Sequence, residues 1–260
     1  MRWALAWFLA TILTGCAPSP EPANPAFWQV DGPNRERAWL LGTIHALERP
    51  AEWKRPAIAK ALAKASLIVV EVGNVDNASA MAGTFAKLSR TPGQPPLSAR
   101  LDPALRPALT KLLTEARLKD GGFGEIETWA AALTLARAGE ASLRPEYGID
   151  RAILRGKGTT PVLALEGAHG QLSLFDTLPE KEQRDLLSIV VREGGKEGSE
   201  SDSLADAWRK GDMAAIEAET HRGLLADPEL REALFARRNR AWAGKIEAAI
   251  TPKTKAIMLA

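Results

Sequence analysis

His45, Glu71, Glu166 and Arg238 are the side chains whose types and placement could do chemistry. His45 closes the run "RAWLLGTIH", Glu71 lies near the end of "LIVVEV", and Glu166 ends "TPVLALE". All three runs look like strands buried in a sheet. In an open α/β sheet, ligands bind beyond the carboxyl ends of the strands. An imidazole and two carboxylates at three such ends are therefore candidate metal ligands or proton carriers. Asp150 lies close by in sequence, at the start of the helix before the third strand. A carboxylate beside a buried strand is costly unless it is paired or bound to a metal. Plainer readings exist for both Glu residues: Glu71 where the sheet meets water, Glu166 as a first-turn charge on the helix opening at "GAHGQ". Gly42, three residues before His45, allows close backbone approach there. His169 and His221 read as solvated or structural, and His221 falls at a helix end, where a cation suits the dipole.

Arg238 adds a second kind of group. Leu234, Arg238, Trp242 and Ile246 recur every four residues on one long helical pattern, so Arg238 sits on the stripe that faces the core. A guanidinium there snorkels to the surface or meets carboxylates or a bound anion. The second alternative brings it to Glu71, Glu166 or a substrate oxyanion.

The elements that must hold these groups follow from pattern. With 260 residues, 45% hydrophobic, the chain can bury a sizeable core, and a single domain is expected. A net charge of +2 with no basic stripe gives no ground for nucleic-acid binding. Phe27 to Val30 and Arg37 to Ile44 flank "DGPN", which predicts a hairpin. Glu52 to Ala65 predicts a helix, Leu67 to Val72 a strand buried on both faces, and Thr160 to Glu166 another buried strand. Asp76 to Gln94 is ambiguous. Asp102 as cap and Pro103 in the first turn open a helix with a leucine stripe at Leu105, Leu109, Leu112 and Leu113. Further helices are predicted over Glu125 to Ala138, after Gly148 to near Gly156, Gln171 to Leu178, Glu180 to Arg192, Ser203 to Lys210, Met213 to His221 and Pro228 to Ile250. "REGGKEGSESDS" reads as a linker. Strands alternating with helices indicate an α/β domain, a central sheet flanked by helices, with a helical insertion.

The N-terminus carries a separate signal. Arg2 and the apolar Ala4 to Leu13 read as an export signal over residues 1–15, too short for a permanent span. Leu13-Thr14-Gly15-Cys16 resembles a bacterial lipobox, in which Cys16 receives lipid; an ordinary signal peptide with an incidental cysteine is the alternative. Residues 16–26, "CAPSPEPANPA", are Pro-rich and read as an extended tether. With Ala at position 17, the lipobox pattern resembles sorting to the outer membrane, hence a bacterial cell envelope protein on its periplasmic face. Cys16 is the only cysteine, so no disulfide and no other thiol nucleophile are available.

Five segments, in order and spacing, resemble the TraB/GumN/Tiki family: "AWLLGTIHAL" with the Gly-x-x-His motif, "LIVVEV", "YGIDRAI", "LALEGAHGQL" and "RRNRAWAGKI". The resemblance runs from about Phe27 to the C-terminus. It implies an α/β fold with a central mixed sheet and a helical insertion, and divalent-metal-dependent hydrolysis of peptides. It implies His45 as first metal ligand, Glu71 as ligand or general base, and Arg238 with Asn239 facing substrate or oxyanion. Glu166 and Gln171 match a motif of less certain purpose. The metal would be manganese, cobalt, zinc or iron, and it would lower the pKa of a bound water to about 7 in a zinc-type site. The family's second Gly-x-x-His motif follows the long helix. This chain stops at "KTKAIMLA", which looks like the start of that strand, so either the chain is a piece of a longer one or the protein lacks part of the site. A peptide or small-molecule substrate, and a membrane contact through the N-terminal lipid, are the expected partners. Two other readings stay open: a non-catalytic envelope lipoprotein that captures haem or a metal through His45, with Tyr147 as a further ligand, and a scaffolding lipoprotein without a site, in which His45 and Glu71 point apart.

Overall fold

A computed structural model describes residues 18–32, 36–73, 78–139, 142–194, 200–251, 254 and 256–260. The expected export signal and Cys16 lie outside these residues, as do parts of the "DGPN" turn and of the "REGGKEGSESDS" linker. Among the described residues no helix is long and apolar enough to cross a membrane.

The chain begins with β1 (Glu21–Pro22), β2 (Phe27–Asp31), β3 (Arg37–Leu41), β4 (Ala51–Glu52), α1 (Pro56–Lys64) and β5 (Leu67–Val72). A helical stretch follows: α2 (Ala78–Leu88), α3 (Arg106–Glu115), α4 (Thr128–Gly139) and α5 (Ile149–Gly156). Next come β6 (Val162–Glu166), α6 (Ala168–Asp176), α7 (Glu180–Glu193), α8 (Glu200–Lys210) and α9 (Met213–Glu219). The C-terminal part is α10 (Pro228–Arg231), a π-helical turn over Glu232–Ala236, α11 (Arg237–Ala249) and β7 (Ala256–Leu259).

Five strands form a mixed sheet in the order β2-β3-β7-β5-β6, and β1 pairs with β4 in a separate two-stranded ladder. Only β2 is antiparallel to its neighbour; β3, β7, β5 and β6 run parallel. The fold is thus the expected α/β one with a central mixed sheet. Leu67, Ile68, Val69 and Val70 are all buried because β5 lies inside the sheet with helices on both faces. On one face Trp39, Leu41, Ile68, Val70 and Met258 pack against Ile58 of α1, Ile153 of α5 and Trp208 of α8. On the other, Leu67, Val69, Leu165 and Ile257 meet Trp242, Ile246 and Ala249 of α11. The helical insertion has its own core, built around Trp129, Leu109, Leu135 and Leu186. There the ambiguous segment forms α2, and its Phe85 meets Trp129 edge-on.

Two sequence expectations need correction. The strand expected to be buried at Thr160 to Glu166 is β6, and of its five residues only Leu165 is buried. It is the last strand of the sheet, so it lacks a neighbour to cover its outer side. The single long helix expected over Pro228 to Ile250 is divided by the π-helical turn. This places Leu234 in a small core with Leu178 and Leu230, while Trp242 and Ile246 join the sheet core. Arg238 lies between the two. π-Helical turns are frequent beside functional sites.

Candidate functional site

The parallel strands end at one rim, and the loop after β3 carries His45 across it. This loop is pinned to the segment before α5: Ile149 N–H donates to the Ile44 carbonyl at 2.9 Å, and Leu47 and Arg144 exchange backbone bonds of 3.4 and 2.9 Å. Gly148 is the glycine that close approach demands, since a Cβ there would overlap the His45 carbonyl. Gly42 does not have that role, because a Cβ on it would meet only Ala26 at ordinary contact distance.

The pinning sets His45 against Asp150 in the first turn of α5. Nδ1–H of His45 donates to Asp150 Oδ2 at 2.7 Å, and Nε2 lies 3.6 Å from Glu71 Oε2. The imidazole is 69% exposed, while the Asp150 side chain is only 7% exposed. Sequence order left Asp150 as a neighbour of the site; the structure makes it the partner of His45. Glu71 Oε1 accepts from the Gln171 amide and from a terminal nitrogen of Arg238. Arg238 also donates to both oxygens of Glu166, from Nε and a terminal nitrogen, at 2.9 Å each. Its guanidinium lies 4.3 Å from the Trp242 ring centroid, and Trp242 Nε1–H donates to Glu166 Oε1 at 2.8 Å. Arg238 therefore meets the carboxylates, as one of the two sequence alternatives had it, and does not snorkel free.

The electrostatics follow from these contacts. The hydrogen bond to Asp150, then the close contact with Glu71, raises His45 to about 10, against the opposing effect of burial. Burial alone would raise Glu71, but the bond to His45 and the Arg238 charge outweigh it and hold the carboxyl at about 2. Asp150 is lowered in the same way: desolvation opposes, and the bond to His45 wins. Arg238 loses to desolvation and gains more from Glu166 and Glu71, so it is raised.

Other residues named from sequence do not join the cluster. Asn239 follows Arg238 on α11 but is exposed, and among the described residues no hydrogen bond ties it to His45, Glu71, Asp150 or Glu166. His169 meets Ser173 at 3.1 Å, and His221 lies 2.9 Å from Arg231. Tyr147 packs against the main core. A recess of about 310 Å³, lined by Val30, Ala38, Ile250 and Ile257, opens at the opposite rim and shares no residue with the site. Gln171 and Trp242 were visible in sequence only as a motif residue and a stripe residue; their contacts to Glu71 and Glu166 needed the fold.

The model of the TraB/PrgY/gumN family matches residues 26–259, nearly all of the described fold. The chain belongs to this family. It is also 28% identical over 153 residues to the uncharacterized protein YbaP of Shigella flexneri and, to the same degree, to that of Escherichia coli (strain K12). Each match covers 57% of this chain and 55% of the relative, so the chain spans about half the length of the curated relatives it matches. No solved structure matches.

The family resemblance implies a divalent metal, whose donors in this chain would be His45 and Glu71. Two donors bound to one ion at about 2.0–2.2 Å lie roughly 3.3–3.6 Å apart, and His45 Nε2 and Glu71 Oε2 are 3.6 Å apart. Asp150 on Nδ1 is the carboxylate that orients a metal-binding imidazole. The residues present thus fit two coordination positions.

Proposed function

We propose that this TraB/PrgY/gumN family member is a metal-dependent hydrolase acting on peptides in the cell envelope, anchored through a lipid on Cys16. The observation that carries the reading is the 3.6 Å approach of His45 Nε2 to Glu71 Oε2, with the other ring nitrogen fixed by Asp150. His45 and Glu71 would hold the metal, and a bound divalent ion would supply a Lewis acid and an ionisable water. Asp150 keeps the Nδ1 proton in place, so that Nε2 is the nitrogen that gives up its proton to a metal. Glu71, held ionised at about 2, suits cation binding better than proton exchange, for which a carboxyl nearer neutral pH is needed. Gln171 and Arg238 occupy its other oxygen and leave Oε2 for the site. Arg238 is spent on Glu71 and Glu166, so its first task is to offset their burial. The lipid anchor is supported by the export-signal and lipobox pattern of residues 1–16.

Calorimetric titration of the chain with Mn²⁺, Co²⁺ and Zn²⁺ tests the site. One ion is expected per chain, with binding lost in His45→Ala and Glu71→Gln. Unchanged affinity in both variants rejects the centre. Metal binding without hydrolysis of a peptide library would favour the non-catalytic capture reading.

A further inference from the structure

The N-terminal strap enters the fold at the rim that carries the site. β2 is antiparallel to β3 and pairs its first residue, Phe27, with Leu41 at the end of β3. The residues before Phe27 are tied to that same rim. The Ala26 carbonyl accepts from Gly42 N–H at 2.9 Å, and Glu21 N–H donates to the Pro50 carbonyl at 2.9 Å. Asn24 N–H donates to the Arg209 carbonyl at 2.6 Å, and Arg55 donates to the Pro25 carbonyl at 2.9 Å. The Glu21 carboxylate lies 3.0 Å from Arg209 and 3.6 Å from Arg49, and Ala23 is buried. Much of the segment that reads as a tether in sequence is therefore part of the folded body from Glu21 onward.

Five peptide steps separate Cys16 from Glu21, a reach of at most about 17 Å. The opposite rim, where β5 and β6 begin at Leu67 and Val162, lies about 20 Å away along a six-residue strand. A long free tether would present every face of the molecule to the bilayer equally. A strap pinned this close to its anchor does not.

We propose that the strap holds the His45–Glu71 rim toward the bilayer, and that the substrates are peptides presented at that membrane surface, such as the juxtamembrane stretch of an anchored chain. This rests on the lipid-anchor reading above. The antiparallel β2 brings the strap to this rim and the strap's bonds hold it there; a parallel first strand would have brought the anchor to the far rim.

The single cysteine makes the geometry testable. The full chain is coupled through Cys16 to maleimide lipid in phosphatidylethanolamine–phosphatidylglycerol vesicles that carry rhodamine headgroups. A donor dye is attached through Glu48→p-azidophenylalanine, beside the site, or Thr159→p-azidophenylalanine, in the loop before β6; both positions are exposed. Energy transfer from 48 is expected to exceed that from 159 by about twofold, given the rim separation. A roughly 20-residue Gly/Ser insertion between Ala17 and Pro18, about 25 Å in r.m.s. span, should erase the difference. Equal transfer without the insertion, or stronger transfer from 159, overturns the orientation while leaving the anchor standing. Mass spectrometry of the chain expressed in a bacterium judges the anchor itself: lipid on Cys16 supports the anchor on which the orientation rests, and an unmodified Cys16 removes the anchor and the orientation with it.

Discussion

Arg238 and Glu166 form a two-point ion pair, with Nε and a terminal nitrogen each 2.9 Å from one carboxylate oxygen. The pair joins α11 to the end of β6, and Glu71 of β5 shares the same guanidinium. Its members are 11–19% exposed, so removing one leaves charge in a poorly solvated place. Arg238→Ala should lower unfolding free energy by about 3 kcal/mol. Arg238→Lys should recover less than half, because an ammonium cannot make the fork. Urea denaturation of both variants checks this, and a loss below about 1 kcal/mol for the alanine variant, the size of an exposed pair, would show that the network is only a surface ornament.

Asp150 should matter through His45 rather than through packing. Asp150→Asn keeps the shape and removes the carboxylate whose hydrogen bond most raises the imidazole. The His45 pKa, about 10 in the native cluster, should fall by well over one unit toward its ordinary value. Metal affinity should drop about 10- to 100-fold, as for loss of an orienting carboxylate. Ring-proton NMR titration and calorimetry measure the two effects, and a His45 pKa that stays near 10 would assign the shift to Glu71 instead.

The His45 cluster should leave a signature in stability against pH. His45 titrates near 6.5 in the unfolded chain and near 10 in the folded one. Between those values the folded state binds more protons, so this stabilisation is full below 6.5 and is lost as pH rises through about 10. Glu71 goes from 4.5 to about 2 on folding, so its part is present above 4.5 and is lost as pH falls through about 2. The difference in urea midpoint between the native chain and His45→Ala should therefore be largest between pH 4.5 and 6.5. Because the imidazole is 69% exposed, solvent screening keeps the corresponding free-energy difference to about 1 kcal/mol. A difference that does not vary from pH 4 to 10 would contradict the assignment.

Gly148→Ala tests how the site is held. Gly148 has an ordinary φ of −62°, so backbone strain is not at issue; a methyl there overlaps the His45 carbonyl. The loop after β3 must then lift away from α5 and stretch the His45–Asp150 bond. The variant should lose about 1–3 kcal/mol, the usual cost of overpacking, and bind metal more weakly. Gly42→Ala, which meets only Ala26 at contact distance, should change neither, and crystal structures of both variants would show whether His45 moves.

Local chemistry in the chain was enough to determine most of the long elements and the identity of the reactive groups. The run Leu67 to Val72 specifies a strand because its β-branched residues fit a pleated surface covered on both sides, and the stripe Leu234, Arg238, Trp242, Ile246 places a guanidinium toward the interior. The family too was legible, in five short segments whose order needs no coordinates. Tertiary structure alone decided which groups meet. Asp150, 105 positions from His45, reaches it because backbone bonds from Ile44 and Leu47 to Ile149 and Arg144 hold the loop against α5. Gln171 and Arg238 share Glu71 Oε1 because β5 and β6 are neighbours while α11 crosses the adjacent face. Such pairings join distant parts of the chain, and no periodicity records them. The edge position of β6 and the rim at which the N-terminus enters were likewise decided by strand order and direction, which arise only when the separate strands pack into one sheet.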